Sequence, residues 1–302
     1  MDKKPIILFC INKLGSSVGL GGAERLVVDD INEMLNRGYS VRLLTLKKES
    51  KFSLVEELKL PRQYFETIHF GSLFNILNWI RVYNYIKKEN PDRVFSHLWF
   101  SNTIIKIVCK IAGIKDVFSF EHNIYDTIKS KKMYFLDKVL QEWSKKIIAV
   151  SSAVKESLLA HGIQEKNIVV INNGINIIKY NVPPNILLKK QLGISSDTFV
   201  FLTIGRLIYQ KGIDVVLKAF TKIQDNSVLV IVGQGEDGNS LKNLAITLGI
   251  NNRVHFLGVR HDIPEILSIC DCFVLASRFE GLGIVVLEAM AGSKSIIVSN
   301  FS

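Results

Sequence analysis

Apolar, β-branched runs of four to six residues recur along the chain. Between them lie longer segments in which apolar positions return every three or four residues. The short runs, Ile6–Ile11, Val41–Leu46, Thr67–Phe70, Arg93–His97, Val117–Phe120, Ile147–Val150 and Ile168–Ile171, predict strands. The segments between them, such as Glu24–Asn36, Leu73–Lys88 and Asn102–Ala112, predict helices. Strands apolar on both faces that alternate with helices imply a parallel sheet covered on both sides. The alternation breaks after Asn172-Asn173-Gly174, in a polar stretch that holds Pro183 and Pro184, and then resumes with Phe199–Ile204, Val228–Val232, Val254–Leu257, Cys272–Leu275 and Ser295–Val298. The pattern predicts an α/β chain of two successive domains with a cleft between them: residues 1–175, a linker over 176–196, and residues 197–302. The chain stops at Ser302, just after a predicted strand, so the second domain reads as incomplete at its C-terminal end.

Composition fits a folded protein, with 48% hydrophobic and 22% charged residues. Charge adds an asymmetry. Residues 1–175 hold 26 of the 38 basic and 18 of the 28 acidic residues, a balance of +8, which leaves +2 for residues 176–302. The first domain is therefore the one that suits an anionic lipid surface, a phosphorylated acceptor or nucleic acid. Two stretches sharpen this. Residues 73–82 carry Phe74, Ile76, Leu77, Trp79 and Ile80, and residues 129–146 interleave Lys129, Lys131, Lys132, Lys138, Lys145 and Lys146 with Met133, Tyr134, Phe135, Val139 and Trp143. Both read as faces for an anionic membrane, or as core helices with a basic outer side. No nucleic-acid-binding module accompanies them, so no nucleic-acid partner is expected. Cys10, Cys109, Cys270 and Cys272 lack zinc-like pairing and suit a reducing, cytoplasmic compartment. The six histidines show no metal-site clustering.

Candidate chemistry sits at the predicted carboxyl ends of strands, where open parallel sheets bind ligands. Gly205-Arg206-Leu207-Ile208-Tyr209-Gln210-Lys211-Gly212 follows one strand, and places two cations where a diphosphate could be held. It is not a Walker loop, and neither it nor Gly19-Leu20-Gly21-Gly22-Ala23-Glu24 has the GxGxxG fingerprint; this counts against an NTPase or a dehydrogenase. Ser277-Arg278-Phe279-Glu280-Gly281-Leu282-Gly283 follows another strand, with a helix expected from about Leu282 that carries Glu288. Unpaired N–H groups at such a helix start suit phosphate or sugar oxygens, and carboxylates suit diols. Glu121-His122-Asn123 follows a third strand, where His122 could bond a sugar hydroxyl or assist proton movement; His97 ends a fourth and is the weaker candidate.

Together these residues resemble the family 4 glycosyltransferases. Glu280 and Glu288, with seven residues between, are similar to that family's E-x7-E motif. The Gly205–Gly212 and Gly21–Glu24 loops and Asn173-Gly174-Ile175 resemble its other landmarks, in order, from about residue 5 to 302. The resemblance implies the GT-B fold, two Rossmann-like domains facing across a cleft. It implies transfer of a hexose or N-acetylhexosamine from a nucleotide diphosphate sugar, UDP-sugar being commonest and GDP-sugar the other choice. It also implies retention at the anomeric carbon, and no cofactor or essential metal. On that resemblance Arg206 and Lys211 hold the diphosphate, with Gly205, Gly281, Leu282 and Gly283 lining the donor site. Glu288 then binds the ribose and Glu280 the transferred sugar, while Gly22 and His122 face donor and acceptor; Glu280, His122, Arg206 and Lys211 form the catalytic set. Relatives act on lipid-linked or polysaccharide acceptors at the cytoplasmic membrane face, in cell-surface glycan synthesis. The alternatives are a nucleotide-sugar epimerase or hydrolase on the same fold, or a non-catalytic subunit that needs a partner chain.

Overall fold

Residues Ile6–Ile11 form β1, Gly15–Ser16 β2 and Gly22–Asn36 α1; Ser40–Thr45 form β3, Phe52–Ser53 β4 and Phe65–Thr67 β5. The chain continues through α2 (Ile76–Glu89), β6 (Arg93–His97), α3 (Trp99–Ala112), β7 (Val117–Glu121), α4 (Lys131–Leu140), β8 (Lys146–Ala149), α5 (Ser152–Ala160) and β9 (Ile168–Val170). Seven of these strands make one sheet in the order β5-β3-β1-β6-β7-β8-β9, every pair parallel, while β2 and β4 pair antiparallel beside it. This computed structural model describes residues 4–16, 21–49, 51–124, 129–223 and 226–300. Gly19 and Leu20 of the first glycine loop lie outside them.

A second sheet follows: α6 (Ile186–Gln191), β10 (Phe199–Ile204), α7 (Ile213–Phe220), β11 (Ser227–Val232), α8 (Gly238–Thr247), β12 (Val254–Gly258), α9 (Ile263–Ser268), β13 (Cys272–Leu275), α10 (Ile284–Ala291) and β14 (Ser295–Val298). Its order is β12-β11-β10-β13-β14, again all parallel. The chain divides into two compact units: the first holds residues up to Ser16 and Ala23–Asn173, and the second holds Gly174 onward together with the segment that ends at Gly22. Among the described residues no helix is long and apolar enough to cross a membrane.

The inner strands form where they do because their side chains are buried on both faces, whereas the edge strand β14 is exposed along its length. Along β10, Val200, Leu202 and Ile204 enter one apolar cluster with Val230 and Val232, while Phe201 turns to the other cluster with Leu229 and Ile231. Each such fully buried Leu, Ile or Val side chain contributes about 1.5–3 kcal/mol. Where hydrophobicity alone set the expectation, boundaries shift. The strand predicted at Thr67–Phe70 is Phe65–Thr67 instead. Ile68 and Phe70 still donate to Thr45 and Leu46 and are buried, but they have left the ladder. α3 starts at Trp99 rather than Asn102, because Leu98 in front of it takes φ 71° and offers no side-chain cap to mark the start. The four cysteines are free and buried.

The basic stretch 129–146 is corrected in part. Lys129 is buried, with its ammonium 2.8 Å from Asp137 and 3.3 Å from Glu121. Asp137 also accepts from Trp99 Nε1 at 2.9 Å, and Glu121 from Asn102 Nδ2 at 3.0 Å. Burial works to discharge Lys129, but the two carboxylates outweigh it and hold its pKa above the ordinary value. This stretch is half core: the exposed positions of α4 are Lys131, Lys132, Phe135, Lys138 and Val139. In contrast, Leu73, Phe74, Ile76, Leu77 and Ile80 are all exposed, Phe74 at 99%. Their loop is braced: Trp79 Nε1 donates to Leu73 O at 2.9 Å, Phe74 N to Ser72 Oγ and Leu77 N to Asn75 Oδ1. The Trp79 ring meets buried Phe70 edge-on at 5.1 Å.

Candidate active site

In the second unit the loops that follow β10, β11 and β13 converge. Gly205, Arg206 and Leu207 leave β10 laced to the next loop: Gly205 N donates to Val232 O, Leu207 N to Gln234 O and Asp237 N to Leu207 O. The two strands of chain approach so closely that only glycine fits. A Cβ on Gly233, whose φ is +133°, would stand 1.9 Å from Gly205 O, and one on Gly235 would stand 2.1 Å from Leu207 O. Beside them a pocket of ≈ 240 Å³ is lined by Leu207, Gly233, Gln234, Gly235, Lys242, Phe256 and Gly258, among others. Sequence reading missed this loop; the signal available was glycine recurring just past a strand.

The β10 and β13 loops are likewise tied. Arg278 N donates to Gln210 O at 2.8 Å, and Gln210 Nε2 to Phe279 O at 3.0 Å. Arg278 stacks on the Tyr209 ring and bonds Asp214 at 2.8 Å. Gly212, φ +61°, lies against Ala276 O, where a Cβ would stand 2.0 Å away. These ties bring Lys211 and Glu280 into a mostly buried ion pair, and Ser277 Oγ also reaches Glu280 at 3.3 Å. Arg206 is half-buried, and among the described residues its guanidinium has no ion-pair or hydrogen-bond partner. Gly281 is buried, Leu282 is half-buried, and Gly283 precedes α10 without a side-chain cap. α10 begins at Ile284, two residues later than expected, so Glu288 is its fifth residue. Glu288 is 6% exposed and accepts from Tyr180 Oη at 2.7 Å, a contact 108 residues apart in sequence that no local pattern signals.

Gly22 is the first residue of α1 and is grouped with the second unit, while the rest of that helix belongs to the first. His122 follows β7, at the carboxyl edge of its sheet, and its Nε2 is 3.0 Å from Nδ1 of His97. Burial lowers the His122 pKa to about 4, against the opposing pull of Glu121. Burial, then His122 itself, pushes His97 well below its ordinary value. Among the described residues no group of three or more His, Cys, Asp or Glu side chains could hold a metal ion.

A pH dependence follows. An imidazole with a folded pKa below its unfolded value leaves the native state with fewer protons, so its contribution is complete above pH ~6.5 and is lost as pH falls towards 4. For His122 the loss between pH 7 and 4 is about 2–3 kcal/mol. Asp30, raised to about 6 by burial and then by Asp29, titrates in the same range with the opposite sign. The measurement is therefore a difference: in urea unfolding at pH 7 and pH 4.5, His122→Gln should lose that much less stability on acidification than the parent. Parallel losses would assign the acid lability elsewhere.

Comparison with known proteins finds two family profiles matched in succession along the chain. The profile described as Glycosyltransferase Family 4 matches residues 20–179, and that described as Glycosyl transferases group 1 matches residues 185–302. The chain is 28% identical, over 299 residues, to UDP-Gal:alpha-D-GlcNAc-diphosphoundecaprenol alpha-1,3-galactosyltransferase of Escherichia coli, covering 94% of this chain and 77% of that one. It is 30% identical over 238 residues to N,N'-diacetylbacillosaminyl-diphospho-undecaprenol alpha-1,3-N-acetylgalactosaminyltransferase of Campylobacter jejuni, covering 74% and 62%. Among solved structures, Anabaena Alr3699/HepE in complex with UDP and glucose superposes with a TM-score of 0.86 at 24% identity, covering 98% of this chain and 81% of that one. That likeness speaks to the fold. With a family profile over more than half its length, and the site loops in place, the chain belongs to glycosyltransferase family 4.

Proposed function

We propose that this chain transfers a hexose or N-acetylhexosamine from a UDP-sugar to a lipid-linked or polysaccharide acceptor, with retention of configuration and without a divalent metal. The observation that carries the reading is the cation pair on the β10 loop: Arg206, half-buried and without a partner among the described residues, and Lys211, fixed by Glu280. Two cations on a rigid carboxyl-end loop supply the charge that a departing diphosphate needs. The donor and acceptor classes follow the relatives, whose names specify UDP-galactose and diphosphoundecaprenol-linked sugars. In this reading the pocket beside Gly233 and Gly235 takes the base, Glu288 the ribose and Glu280 a hydroxyl of the transferred sugar. The bond from the anomeric carbon to the β-phosphate oxygen breaks, and the acceptor hydroxyl attacks from the same face. Its proton passes to the departing phosphate oxygen, so no protein nucleophile is needed. Calorimetry without metal, using UDP- and GDP-sugars, tests the site. One UDP-sugar should bind, and Glu288→Ala should weaken it about tenfold, as expected for the loss of one or two hydrogen bonds to a charged group. Binding that is absent, or indifferent to Glu288, would overturn the assignment.

The acceptor would be met at the inner face of the membrane through residues 73–82 and the outer side of α4. From Thr67 to Lys88 there is no acidic residue, and Arg81, Lys87 and Lys88 are exposed behind the apolar loop. Phe74→Glu with Leu77→Glu changes only exposed side chains, so folding should be unaffected. Sedimentation with phosphatidylglycerol vesicles should fall at least about tenfold, since each side chain forfeits up to ~2 kcal/mol of apolar burial. Undiminished binding would remove this loop from the membrane contact.

A further inference from the structure

We propose that His97 is a positioning residue for His122: it donates from Nδ1 to Nε2 of His122, and so holds that ring as the Nδ1–H form, a hydrogen-bond donor toward a substrate oxygen and not a proton acceptor. The substrate half of this statement rests on the transferase reading; the tautomer half does not.

The geometry fixes His97 first. β6 ends at His97, which stands opposite Phe120 in the register of β6 with β7, so His122 lies just past the neighbouring strand's end. The His97 ring stacks on Phe120 at 4.5 Å and lies parallel to Phe9 at 6.0 Å, and the residue is 1% exposed. Held by rings on both sides, it presents Nδ1 to His122 Nε2 at 3.0 Å. One of these two nitrogens must carry the shared proton.

The placement of the unpartnered N–H separates the two arrangements. Among the described residues, His97 Nε2 and His122 Nδ1 are both buried without a hydrogen-bond partner. If His122 donated, His97 would carry its own proton on Nε2, a fully enclosed N–H with no acceptor. Either arrangement leaves one unpartnered N–H and one bare nitrogen, so what separates them is where the N–H stands. The reverse arrangement leaves a bare nitrogen on His97, enclosed between rings, and moves the unpartnered N–H to Nδ1 of His122, which lies past the end of β7 and is the more exposed residue, at 7% against 1%. Burial keeps both rings uncharged, which the pair requires. Glu121 is no rival orienting group, because its carboxylate is taken by Asn102 and Lys129.

The surroundings point to a ligand oxygen as the missing acceptor. Asn12 Oδ1 just past β1, and Ser101 Oγ and Asn102 Oδ1 on the first turn of α3, are also buried and unpartnered. With the two imidazoles, they make five of the six such atoms among the described residues, all at the carboxyl ends of β1, β6 and β7 or on the helix that follows β6. Leu98, between His97 and α3, has φ 71°, a strained backbone for leucine, of the kind that persists at functional sites. Acceptors and donors interleaved in this way match hydroxyls, which both give and take hydrogen bonds.

The test uses the whole chain with ¹⁵N-labelled histidine. In water the Nε2–H form of imidazole predominates, so an Nδ1–H signal for His122 is the distinctive result. His97→Phe keeps the stack but removes the nitrogen; His97→Asn keeps an amide N–H where Nδ1 stood. The parent and His97→Asn should show His122 as Nδ1–H, and folded His97→Phe should lose that preference. In transfer assays His97→Phe should lower kcat about 10–100-fold, as loss of an orienting partner does, with donor KM nearly unchanged, and His97→Asn should recover most of it. An Nε2–H form in the parent, or an unchanged tautomer in His97→Phe, would overturn the proposal. Should the parent transfer no sugar at all, the transferase reading fails and the shift measurement still decides the tautomer.

Discussion

Arg206→Ala is expected to lower kcat/KM for the nucleotide-sugar about 10²–10³-fold, the usual loss when one fixed charge is taken from a developing oxyanion. Stability should hardly change. The guanidinium makes no ion pair or hydrogen bond with described residues, and surface changes away from such features stay within ~0.5 kcal/mol. Lys211→Ala should lower turnover by a similar factor, but with a different signature. It strips a mostly buried Glu280 of its ammonium and leaves it Ser277 Oγ at 3.3 Å. Breaking an enclosed pair from one side costs about 3–5 kcal/mol in deep sites, and somewhat less here where both side chains keep a little exposure. Initial rates alongside urea midpoints separate the cases. Equal stability losses in both variants would mean that Arg206 is a structural residue, and unchanged turnover in both would mean that the diphosphate is held elsewhere.

The second large effect falls on the fold. Gly233→Ala should destabilise the second unit by about 4 kcal/mol or more, because the added carbon meets a backbone oxygen that cannot yield, at a φ that L-residues avoid. Gly249→Ala is the control. Its φ is +68° and nothing lies within 4 Å, so only the backbone penalty of about 1 kcal/mol applies. If the two variants unfold at the same urea concentration, the close approach of the β10 and β11 loops is not what holds them.

Most of the fold was legible because parallel strands buried on both faces advertise themselves. Arg93–His97, Phe199–Ile204 and Cys272–Leu275 stand where their hydrophobicity places them, and so does Ser295–Val298, although its side chains are exposed. The failures share a cause. α3 has no capping signal because Leu98 supplies a strained turn instead. Lys129 looks like a surface lysine until Glu121 and Asp137 are brought around it. The loop residues Arg206, Lys211 and Glu280 could be named from sequence, but the pairing of Lys211 with Glu280 depends on the adjacency of β10 and β13, and that of His97 with His122 on the adjacency of β6 and β7. Which residues carry chemistry was local information; which of them meet was set by strand order.

The buried cysteines have a practical consequence. Burial pushes the thiols of Cys109 and Cys270 up to about 12 and raises those of Cys10 and Cys272, so very little thiolate is present at neutral pH and none of the four side chains is accessible to a reagent. An introduced surface cysteine should therefore take up a maleimide fluorophore selectively in the otherwise native sequence. Placed at Phe74, such a dye would report by its emission colour whether the apolar loop passes from water into a lipid phase during turnover.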